Sequence, residues 1–341
     1  MTKIRIGVIC PSEIAFRRFI PALAKHPIFE YAGIAVASVE EWFGSEFDLI
    51  GADVLAAERE KAQKFADVYG GKIFNSYKDL LASSEVNAVY LPLPPALHYK
   101  WGKAALENGK HVFMEKPFTT SLADTKDLIA LAKEKGLALH ENYMFQYHSQ
   151  LGFIKDAVAS GQIGDLRLIR IAFGFPFRGA SDFRYSKELG GGALLDCGGY
   201  TVKLASILLG KSAQVTSSQL NHKDGLEVDI YGSATMVNNS GATAQLSFGM
   251  DNSYKCELEI WGSKGTVYTN RILTAPDEFE PVIIIKAADG EKVHTLAADD
   301  TFSKSIQVFE ECIRSKVARN ENCKAILRQA EQVENFCKEM D

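Results

Sequence analysis

The sequence lacks the features that mark several large classes of protein. No stretch approaches the roughly 18 consecutive apolar residues that a membrane-spanning helix needs. The first apolar run stops at Cys10 and Pro11, so we expect no signal peptide and a cytoplasmic location. The six cysteines are scattered, with no CxxC pair and no Cys/His spacing typical of zinc. We therefore predict free, mostly buried thiols and no metal site.

A net positive charge is also absent. The formal net charge is -5 at pH 7, and no block of Lys and Arg creates a local basic patch. A nucleic acid partner is therefore not expected. What the chain does contain is 46% hydrophobic residues over 341 positions, which is enough for two domains with large buried cores.

The first part of the chain alternates short apolar runs with amphipathic helical patterns, which is typical of βα units that build a doubly wound parallel sheet. The predicted strands are Ile4–Ile9, Tyr31–Ala37, Ala88–Leu91, His111–Met114 and Ala138–Glu141. The predicted helices are Glu13–Lys25, Ala57–Tyr69, Ser76–Ala82, His98–Asn108 and Ser121–Lys135. Val39–Asp53 interrupts this rhythm and is interpreted as an insertion.

The second part of the chain has longer strands that follow one another without helices, which indicates a mostly antiparallel sheet. The predicted strands are Leu166–Phe173, Val215–Asn221, Val228–Val237, Thr243–Met250, Cys256–Trp261 and Val282–Lys286. We predict an α/β fold class. An N-terminal domain over 1–120, with a strand and helix crossing over to about 142, precedes an α+β domain over 121–341 with a large open-faced sheet.

The turn after the first strand has no glycine where a phosphate-binding turn would carry it. Cys10, Pro11 and Ser12 stand there, followed by Glu13, Ile14 and Ala15 at the start of a predicted helix. A helix N-terminus still supplies N–H donors and a positive dipole end to a phosphate. On these residues alone, a dinucleotide site and a purely structural βα unit are both open.

Two further segments combine residues suited to chemistry. Glu115-Lys116-Pro117 follows a predicted strand at the carboxyl edge of the sheet, where open α/β sheets bind ligands, although a solvated ion pair is the alternative. The segment GGGALLDCGGY, residues 190–200, places Asp196 and Tyr200 at i and i+4 on one helical face. Gly198 and Gly199 within that helix indicate either close approach to a bound ring or tight helix packing.

In this order, these segments resemble the glucose-fructose oxidoreductase and inositol dehydrogenase family (Gfo/Idh/MocA), in the branch with dihydrodiol dehydrogenase and NDP-sugar ketoreductases. The similarity also covers ENYMFQYHSQ at 141–150 and WGSKGT at 261–266. It implies a Rossmann domain joined to an open-faced sheet domain, with catalysis between them. It departs from the family at Cys10–Ser12, where both central glycines are missing.

The resemblance implies roles for three catalytic residues. Lys116 matches the family's catalytic lysine, Asp196 the carboxylate that helps to position it, and Tyr200 the proton donor or acceptor. A free phenol has a pKa near 10, so a nearby lysine that favours the phenolate would help Tyr200 to act as a base.

The resemblance also implies two sets of binding residues. The expected cofactor contacts, with Ser38 at the ribose end beside the insertion, are Cys10, Ser12, Glu13, Ile14, Ser38, Leu91, Leu93, Pro94, His98, Glu115 and Lys116. The expected substrate contacts are Tyr143, Tyr147, His148, Phe183, Arg184 and Tyr185. A cap is the alternative for His98 and a solvated side chain is the alternative for Arg184. Gln146 stands where many relatives have Arg, which puts an anion contact there in doubt.

The function expected from the resemblance is hydride transfer between NADP(H) or NAD(H) and a carbinol or keto carbon of a sugar or sugar nucleotide. NADP(H) is preferred by resemblance to the branch alone. A dihydrodiol or anhydro-sugar reductase is one alternative, and a silent ligand-binding protein that has lost the dinucleotide is another. A homodimer or homotetramer through the C-terminal sheet is expected, because an uncovered apolar sheet face favours association.

Overall fold

The computed structural model describes residues 3–43 and 49–338 and divides the chain into two compact units. The first unit comprises Met1–Thr119, Ala123–Asn142 and Phe302–Leu327. The second comprises Thr120–Leu122, Tyr143–Thr301 and Arg328–Asp341. The predicted boundary assigned residues 302–327 to the second domain, whereas their contacts group them with the first unit.

The first unit is built on a six-stranded parallel sheet with the strand order β3-β2-β1-β4-β5-β6. This is the order of the Rossmann fold, so the predicted fold class is confirmed for this unit. The strands are β1 Ile4–Ile9, β2 Phe29–Ala35, β3 Lys72–Phe74, β4 Ala88–Leu91, β5 His111–Met114 and β6 Leu139–Glu141. Because all strands are parallel, their carboxyl ends meet at one edge of the sheet.

Each of the five helices predicted in the first part of the chain is present with shifted bounds, and further helices lie elsewhere in the described residues. The helices are α1 Ile20–Leu23, α2 Val39–Phe43, α3 Leu49–Tyr69, α4 Tyr77–Ala82, α5 His98–Glu107, α6 Leu122–Lys135, α7 Ser149–Ala159, α8 Gly199–Leu209, α9 Thr301–Arg314 and α10 Lys316–Lys338. Short π-helical segments, Ala15–Phe19 and Leu194–Gly198, directly precede α1 and α8. The predicted insertion Val39–Asp53 contains α2 and the start of α3, and its residues 44–48 lie outside the described part of the chain.

Aromatic side chains form the centre of the first unit. The Tyr90 ring on β4 stacks on Phe19 at a centroid distance of 3.9 Å and meets Phe113 on β5 edge-on. Phe309 on α9 lies edge-on to Phe113 at 5.4 Å and parallel to Phe29 at 6.1 Å. These contacts explain why α9 belongs to the first unit although it is far along the chain.

The second unit is built on an eight-stranded sheet with the order β14-β13-β12-β11-β7-β10-β9-β8. Its strands are β7 Leu166–Gly174, β8 Gln214–His222, β9 Asp229–Val237, β10 Thr243–Gly249, β11 Lys255–Gly262, β12 Gly265–Asn270, β13 Val282–Ala287 and β14 Gly290–Thr295. Strands β7 and β10 pair in parallel and the other described pairings are antiparallel, as predicted.

One face of the second sheet is buried and the other is exposed. The exposed face was expected to be apolar, but it is not chiefly so. Apolar side chains of β7, β10 and β11 alternate with outward polar ones. On the outer face, Arg170 forms an ion pair with Glu259 at 3.3 Å. Trp261 and Tyr268 add exposed aromatic area beside these charges. Among the described residues, no helix is long and apolar enough to cross a membrane.

Candidate active site

The turn after β1 keeps the backbone conformation of a glycine without having one. Cys10 has a φ of 83°, in the left-handed region that costs an L-residue about 1–2 kcal/mol. Its amide donates to Ala35 O at 3.1 Å, and the Ser12 hydroxyl accepts from the Ala15 amide at 3.2 Å. The amides of Glu13 and Ile14 lie in the first helical turn, where N–H groups have no partner within the helix. The chain therefore retains a backbone that fits a pyrophosphate at a helix N-terminus.

The Cys10 side chain is half-buried and packs against the core of the first unit, which includes Tyr77 on α4. Burial raises the pKa of the Cys10 thiol to about 12, and a hydrogen bond with Tyr77 acts in the opposite direction. The thiol is therefore protonated at neutral pH. We expect any contact of Cys10 with a cofactor to be made by its backbone.

Ser38, the predicted ribose contact, is the N-cap of helix α2. Its hydroxyl accepts from the Glu41 amide at 3.3 Å, and its own amide donates to Glu41 Oε2 at 2.8 Å, which is a capping box. The Glu41 carboxylate also accepts from the amides of Tyr77 at 2.9 Å and Lys78 at 3.0 Å. A carboxylate thus lies beside the predicted ribose contact, satisfied by three backbone amides. The pattern Ser-x-x-Glu could have indicated Glu41 from the sequence.

The loop after β5 carries Lys116 and is held at both ends by buried hydrogen bonds. Glu115 Oε1 accepts from Tyr90 OH and from Asn142 Nδ2, each at 2.7 Å. Burial raises the pKa of Glu115, and these two hydrogen bonds act against that rise. At the other end, the Phe118 amide donates to Glu141 Oε1 at 3.0 Å. Lys116 itself is half-buried between these anchors.

His98 joins the loop after β4 to the loop after β5. Its ring is fully buried at the start of α5, with Nδ1 2.8 Å from Pro117 O and Nε2 2.8 Å from Leu93 O. Burial lowers the pKa of this imidazole. His98 therefore fixes the loop that contains the predicted cofactor contacts Leu93 and Pro94, directly after Leu91 at the end of β4. Its ring nitrogens face backbone carbonyls rather than capping the helix.

In the second unit, Tyr200 lies at the start of α8 with its ring enclosed by other aromatic rings. The centroids of Tyr143, Phe173 and Phe145 lie 5.1, 5.4 and 5.8 Å from that of Tyr200. Only 9% of Tyr200 is exposed. Its ring therefore has one position available, which suits a group that must present its hydroxyl in a fixed direction.

Asp196 lies in the π-helical segment and is paired with Arg184. Arg184 Nε donates to Asp196 Oδ2 at 2.8 Å, and Nη1 donates to Asp182 Oδ1 at 3.1 Å. The guanidinium is thus already engaged by two carboxylates, so the predicted contact of Arg184 with a substrate diphosphate stays a prediction. The π-helical turn also interrupts the regular period on which the same-face prediction for Asp196 and Tyr200 depended.

The glycines of this segment are required by packing. A Cβ on Gly198 would lie 2.8 Å from the Phe248 ring, and one on Gly199 would lie 2.2 Å from Tyr143 Oη. A Cβ on Gly191 would lie 2.3 Å from a backbone oxygen, that of Arg184. Of the two interpretations left open by the sequence, the structure supports tight helix packing.

Of the remaining predicted substrate residues, two are buried and two are half-buried. Tyr185 donates its hydroxyl to Met250 O at 2.6 Å, and His148 Nδ1 accepts from the Gln150 amide at 3.1 Å as the N-cap of α7. Tyr147 and Phe183 are half-buried, and the Phe183 ring lies under the Arg184 guanidinium at 4.6 Å.

Several residues of this region were missed by reasoning from the sequence. They are Tyr90 and Asn142, which bond to Glu115, and Lys203, which lies one turn after Tyr200. Lys203 is buried, with its ammonium 5.6 Å from the centroid of the Tyr143 ring. A lysine in an otherwise apolar stretch of helix, YTVKLAS, was the available indication.

The Rossmann sheet with its helix-terminal turn gives the first unit the fold of a dinucleotide-binding domain. A sequence model described as "Oxidoreductase family, NAD-binding Rossmann fold" matches residues 31–143, and the GFO/IDH/MocA C-terminal domain matches residues 153–268. The chain belongs to the GFO/IDH/MocA oxidoreductase family, which confirms the resemblance, and it is an NAD(P)-dependent enzyme of that family.

Similar proteins include enzymes that act on nucleotide-linked sugars. The dTDP-3,4-didehydro-2,6-dideoxy-alpha-D-glucose 3-reductase of Actinomadura kijaniata is 37% identical over 331 residues, 97% of this chain and 94% of its own length. The enzyme of the same name from Streptomyces violaceoruber is 38% identical over 340 residues, with the same two coverages. The crystal structure of KijD10, a 3-ketoreductase from A. kijaniata in complex with NADP and TDP-benzene, has a TM-score of 0.89. It is 36% identical and covers 99% of this chain and 98% of its own.

A more distant relative acts on a smaller molecule. Trans-1,2-dihydrobenzene-1,2-diol dehydrogenase of Xenopus laevis is 27% identical over 271 residues, 79% of this chain and 76% of its own length. Both kinds of relative fall within the branch that the sequence motifs indicated.

Proposed function

We propose that this chain is an NADP(H)-dependent ketoreductase that reduces a keto group of a nucleotide-linked sugar. The similarity over 97% of the chain to enzymes named dTDP-sugar 3-reductases supports this substrate class. The observation that carries the proposal is that three aromatic neighbours fix the ring of Tyr200 at the start of helix α8. A fixed phenol is the acid that such a reduction requires.

In this proposal, the side chains handle the proton. A bound nicotinamide dinucleotide supplies the hydride when the substrate is reduced. Tyr200 donates its phenolic proton to the keto oxygen as the carbon accepts the hydride, and it takes the proton back when the alcohol is oxidised. Lys116 favours the phenolate that this step leaves behind, because a positive charge stabilises a nearby anion. Asp196 is proposed to help position Lys116, and its carboxylate also accepts from Arg184 Nε at 2.8 Å.

We propose that the residues of the β1 turn hold the pyrophosphate of the dinucleotide. The left-handed backbone at Cys10 and the first-turn amides of Glu13 and Ile14 fit that group, and the Ser12 hydroxyl stabilises the helix start. The preference for NADP(H) follows the similar structure that contains NADP. Ser38 is the residue proposed at the ribose end, and the Glu41 carboxylate beside it is already engaged by three backbone amides.

Titration of the purified protein with NADPH and, in parallel, NADH tests the cofactor assignment through reduced-nicotinamide fluorescence. Saturable, tighter binding of NADPH is expected. Absence of binding to either at millimolar concentration would instead favour a silent ligand-binding protein.

The substitution Tyr200→Phe tests the catalytic assignment. It removes the proton donor and keeps the ring, so kcat with a dTDP-linked keto sugar should fall by about 100-fold or more while the Kd for NADPH changes little. Tyr231→Phe, at an exposed tyrosine of the second sheet, is the matched control and should retain activity. Wild-type turnover in Tyr200→Phe would place the proton donor elsewhere.

An enzyme that oxidises a smaller diol, with the hydride passing to the oxidised nicotinamide, is the second candidate, and the dihydrodiol dehydrogenase relative favours it. Comparing kcat/KM for a dTDP-linked keto sugar with that for a dihydrodiol separates the two, and we expect the nucleotide sugar to be preferred.

We also propose that the chain forms a homodimer or homotetramer through the outer face of the second sheet. The exposed Trp261 and Tyr268 beside the Arg170–Glu259 pair support this interface. Light scattering of the wild type and of Trp261→Glu tests it, because a buried carboxylate at the interface should reduce the measured mass.

A further inference from the structure

A chain of hydrogen bonds leads from helix α9 to Glu115, the residue before Lys116. His140 Nε2 lies 2.8 Å from Ser305 Oγ, and Ser305 Oγ donates to Asn142 Oδ1 at 2.8 Å. Asn142 Nδ2 donates to Glu115 Oε1 at 2.7 Å, and Tyr90 OH donates to the same oxygen at 2.7 Å. All five residues belong to the first unit.

The donors along this chain of hydrogen bonds all point toward the Glu115 carboxylate. Because the Ser305 hydroxyl hydrogen is directed at Asn142, Ser305 Oγ accepts from His140, which places a proton on His140 Nε2. Asn142 then has its amide nitrogen free to face Glu115. Two donors on one carboxylate oxygen favour the ionised acid, in opposition to the burial that raises the pKa of Glu115.

The members of the chain have little room to rearrange. Tyr90, Ser305 and His140 are fully buried and Asn142 is 2% exposed. The Tyr90 ring stacks on Phe19, and the Asn142 amide donates to Met114 O at 2.9 Å. Lys116, its neighbour in sequence, is a charged group that acts on Glu115, and the titratable imidazole of His140 is connected to Glu115 through Ser305 and Asn142.

We propose that Tyr90, Asn142 and Ser305 are positioning residues that fix the orientation and the negative charge of Glu115, and through Glu115 the placement of Lys116. This inference rests on the proposed function, in which Lys116 assists Tyr200. It assigns a role to Ser305, which is separated from Asn142 by 163 residues.

The first experiment measures the ionisation of Glu115 directly. Protein labelled with carboxyl-13C glutamate is titrated by NMR, with the Glu115 resonance identified by its absence in Glu115→Gln. The matched control is Ser303→Ala, because Ser303 also lies on α9 and its hydroxyl is 2.9 Å from a different imidazole, that of His26. Circular dichroism confirms that each variant is folded.

We expect Tyr90→Phe to raise the apparent pKa of Glu115 by about one unit or more, since it removes a hydrogen bond to a charged group. Ser305→Ala should raise it by a smaller amount, and Ser303→Ala should leave it unchanged. An unaltered titration of Glu115 in both Tyr90→Phe and Ser305→Ala would overturn the proposal. This measurement needs neither cofactor nor substrate, so its result is independent of the proposed function.

The second experiment tests whether this chain of hydrogen bonds affects catalysis. In Ser305→Ala, kcat should fall by about fivefold while KM for the keto sugar stays within about twofold, because Lys116 is displaced without loss of substrate contacts. Equal losses of kcat in Ser305→Ala and Ser303→Ala would show a general effect of α9 and contradict the proposal. A wild-type protein without hydride transfer would refute the proposed function, while the NMR comparison would still decide the inference.

Discussion

The turn at residues 10–12 and the segment 190–199 each lead into a helix that begins with a π-helical segment, one in each unit. The first has no glycine, and Cys10 takes the left-handed conformation itself. The second has five glycines, and at Gly191, Gly198 and Gly199 the space for a Cβ is already occupied.

The difference separates two reasons for using glycine. A left-handed φ costs a residue with a side chain only about 1–2 kcal/mol, which a folded protein can offset. A Cβ placed within 3 Å of backbone or of a buried ring forces neighbours to move and costs more. The glycine-poor turn is therefore compatible with a dinucleotide site, whereas the glycine-rich segment should tolerate almost no change.

The largest effect is expected for Gly191→Ala. The added Cβ would lie 2.3 Å from Arg184 O, a backbone atom that cannot rotate away. We expect a loss of about 3 kcal/mol or more in the free energy of unfolding, measured by urea denaturation. Gly152→Ala in helix α7 is the matched control, because no atom lies within 4 Å of its added Cβ. That variant should gain about 0.5–1 kcal/mol from helix propensity.

A smaller loss is expected for Gly198→Ala. Its Cβ would lie 2.8 Å from the Phe248 ring, and overpacking of this kind costs about 1–3 kcal/mol. Combining it with Phe248→Leu should recover part of the loss, because the smaller side chain makes room. Simple additivity of the two substitutions would argue against packing as the reason for Gly198.

The same contrast shows how far the sequence predicts the fold. Strands β4 and β5 match their predictions residue for residue, because a short apolar run that is buried on both faces is a clear pattern. Strand β3 has three residues at the sheet edge, and β14 has mostly exposed side chains, so neither has an apolar pattern to detect. These two strands were therefore missed, and β12 was missed as well although its burial alternates.

The residues of the candidate site also divide into those that a local sequence pattern predicts and those that it does not. Lys116, Asp196 and Tyr200 lie in local motifs, so a sequence pattern was sufficient to propose them. Ser305 carries no such pattern, because its role depends on a hydrogen bond to a residue 163 positions away. The engagement of Arg184 by Asp182 and Asp196 was also not predictable, since it depends on how a loop meets a π-helical turn.

A substitution at Cys10 should change stability less than either glycine variant. Cys10→Gly removes the cost of the left-handed φ but adds freedom to the unfolded chain, so the net change should stay within about 1 kcal/mol. Cys10→Val should be clearly less stable than the wild type, because a β-branched residue is poorly tolerated at positive φ. Urea denaturation gives the order of the free energies of unfolding. A Cys10→Gly variant that loses as much stability as Gly191→Ala would contradict the proposed difference between the two segments.

The smallest expected effect concerns the reactivity of the same side chain. Because burial raises the pKa of Cys10 to about 12, the folded protein holds almost no Cys10 thiolate at pH 8. Iodoacetamide at that pH should therefore modify the exposed Cys337 well before Cys10, as measured by peptide mass spectrometry. The rate at Cys10 should keep rising with pH above 9, for as long as the protein stays folded. Rapid modification of Cys10 at pH 8 would mean that its side chain faces the turn, and the dinucleotide, instead of the core.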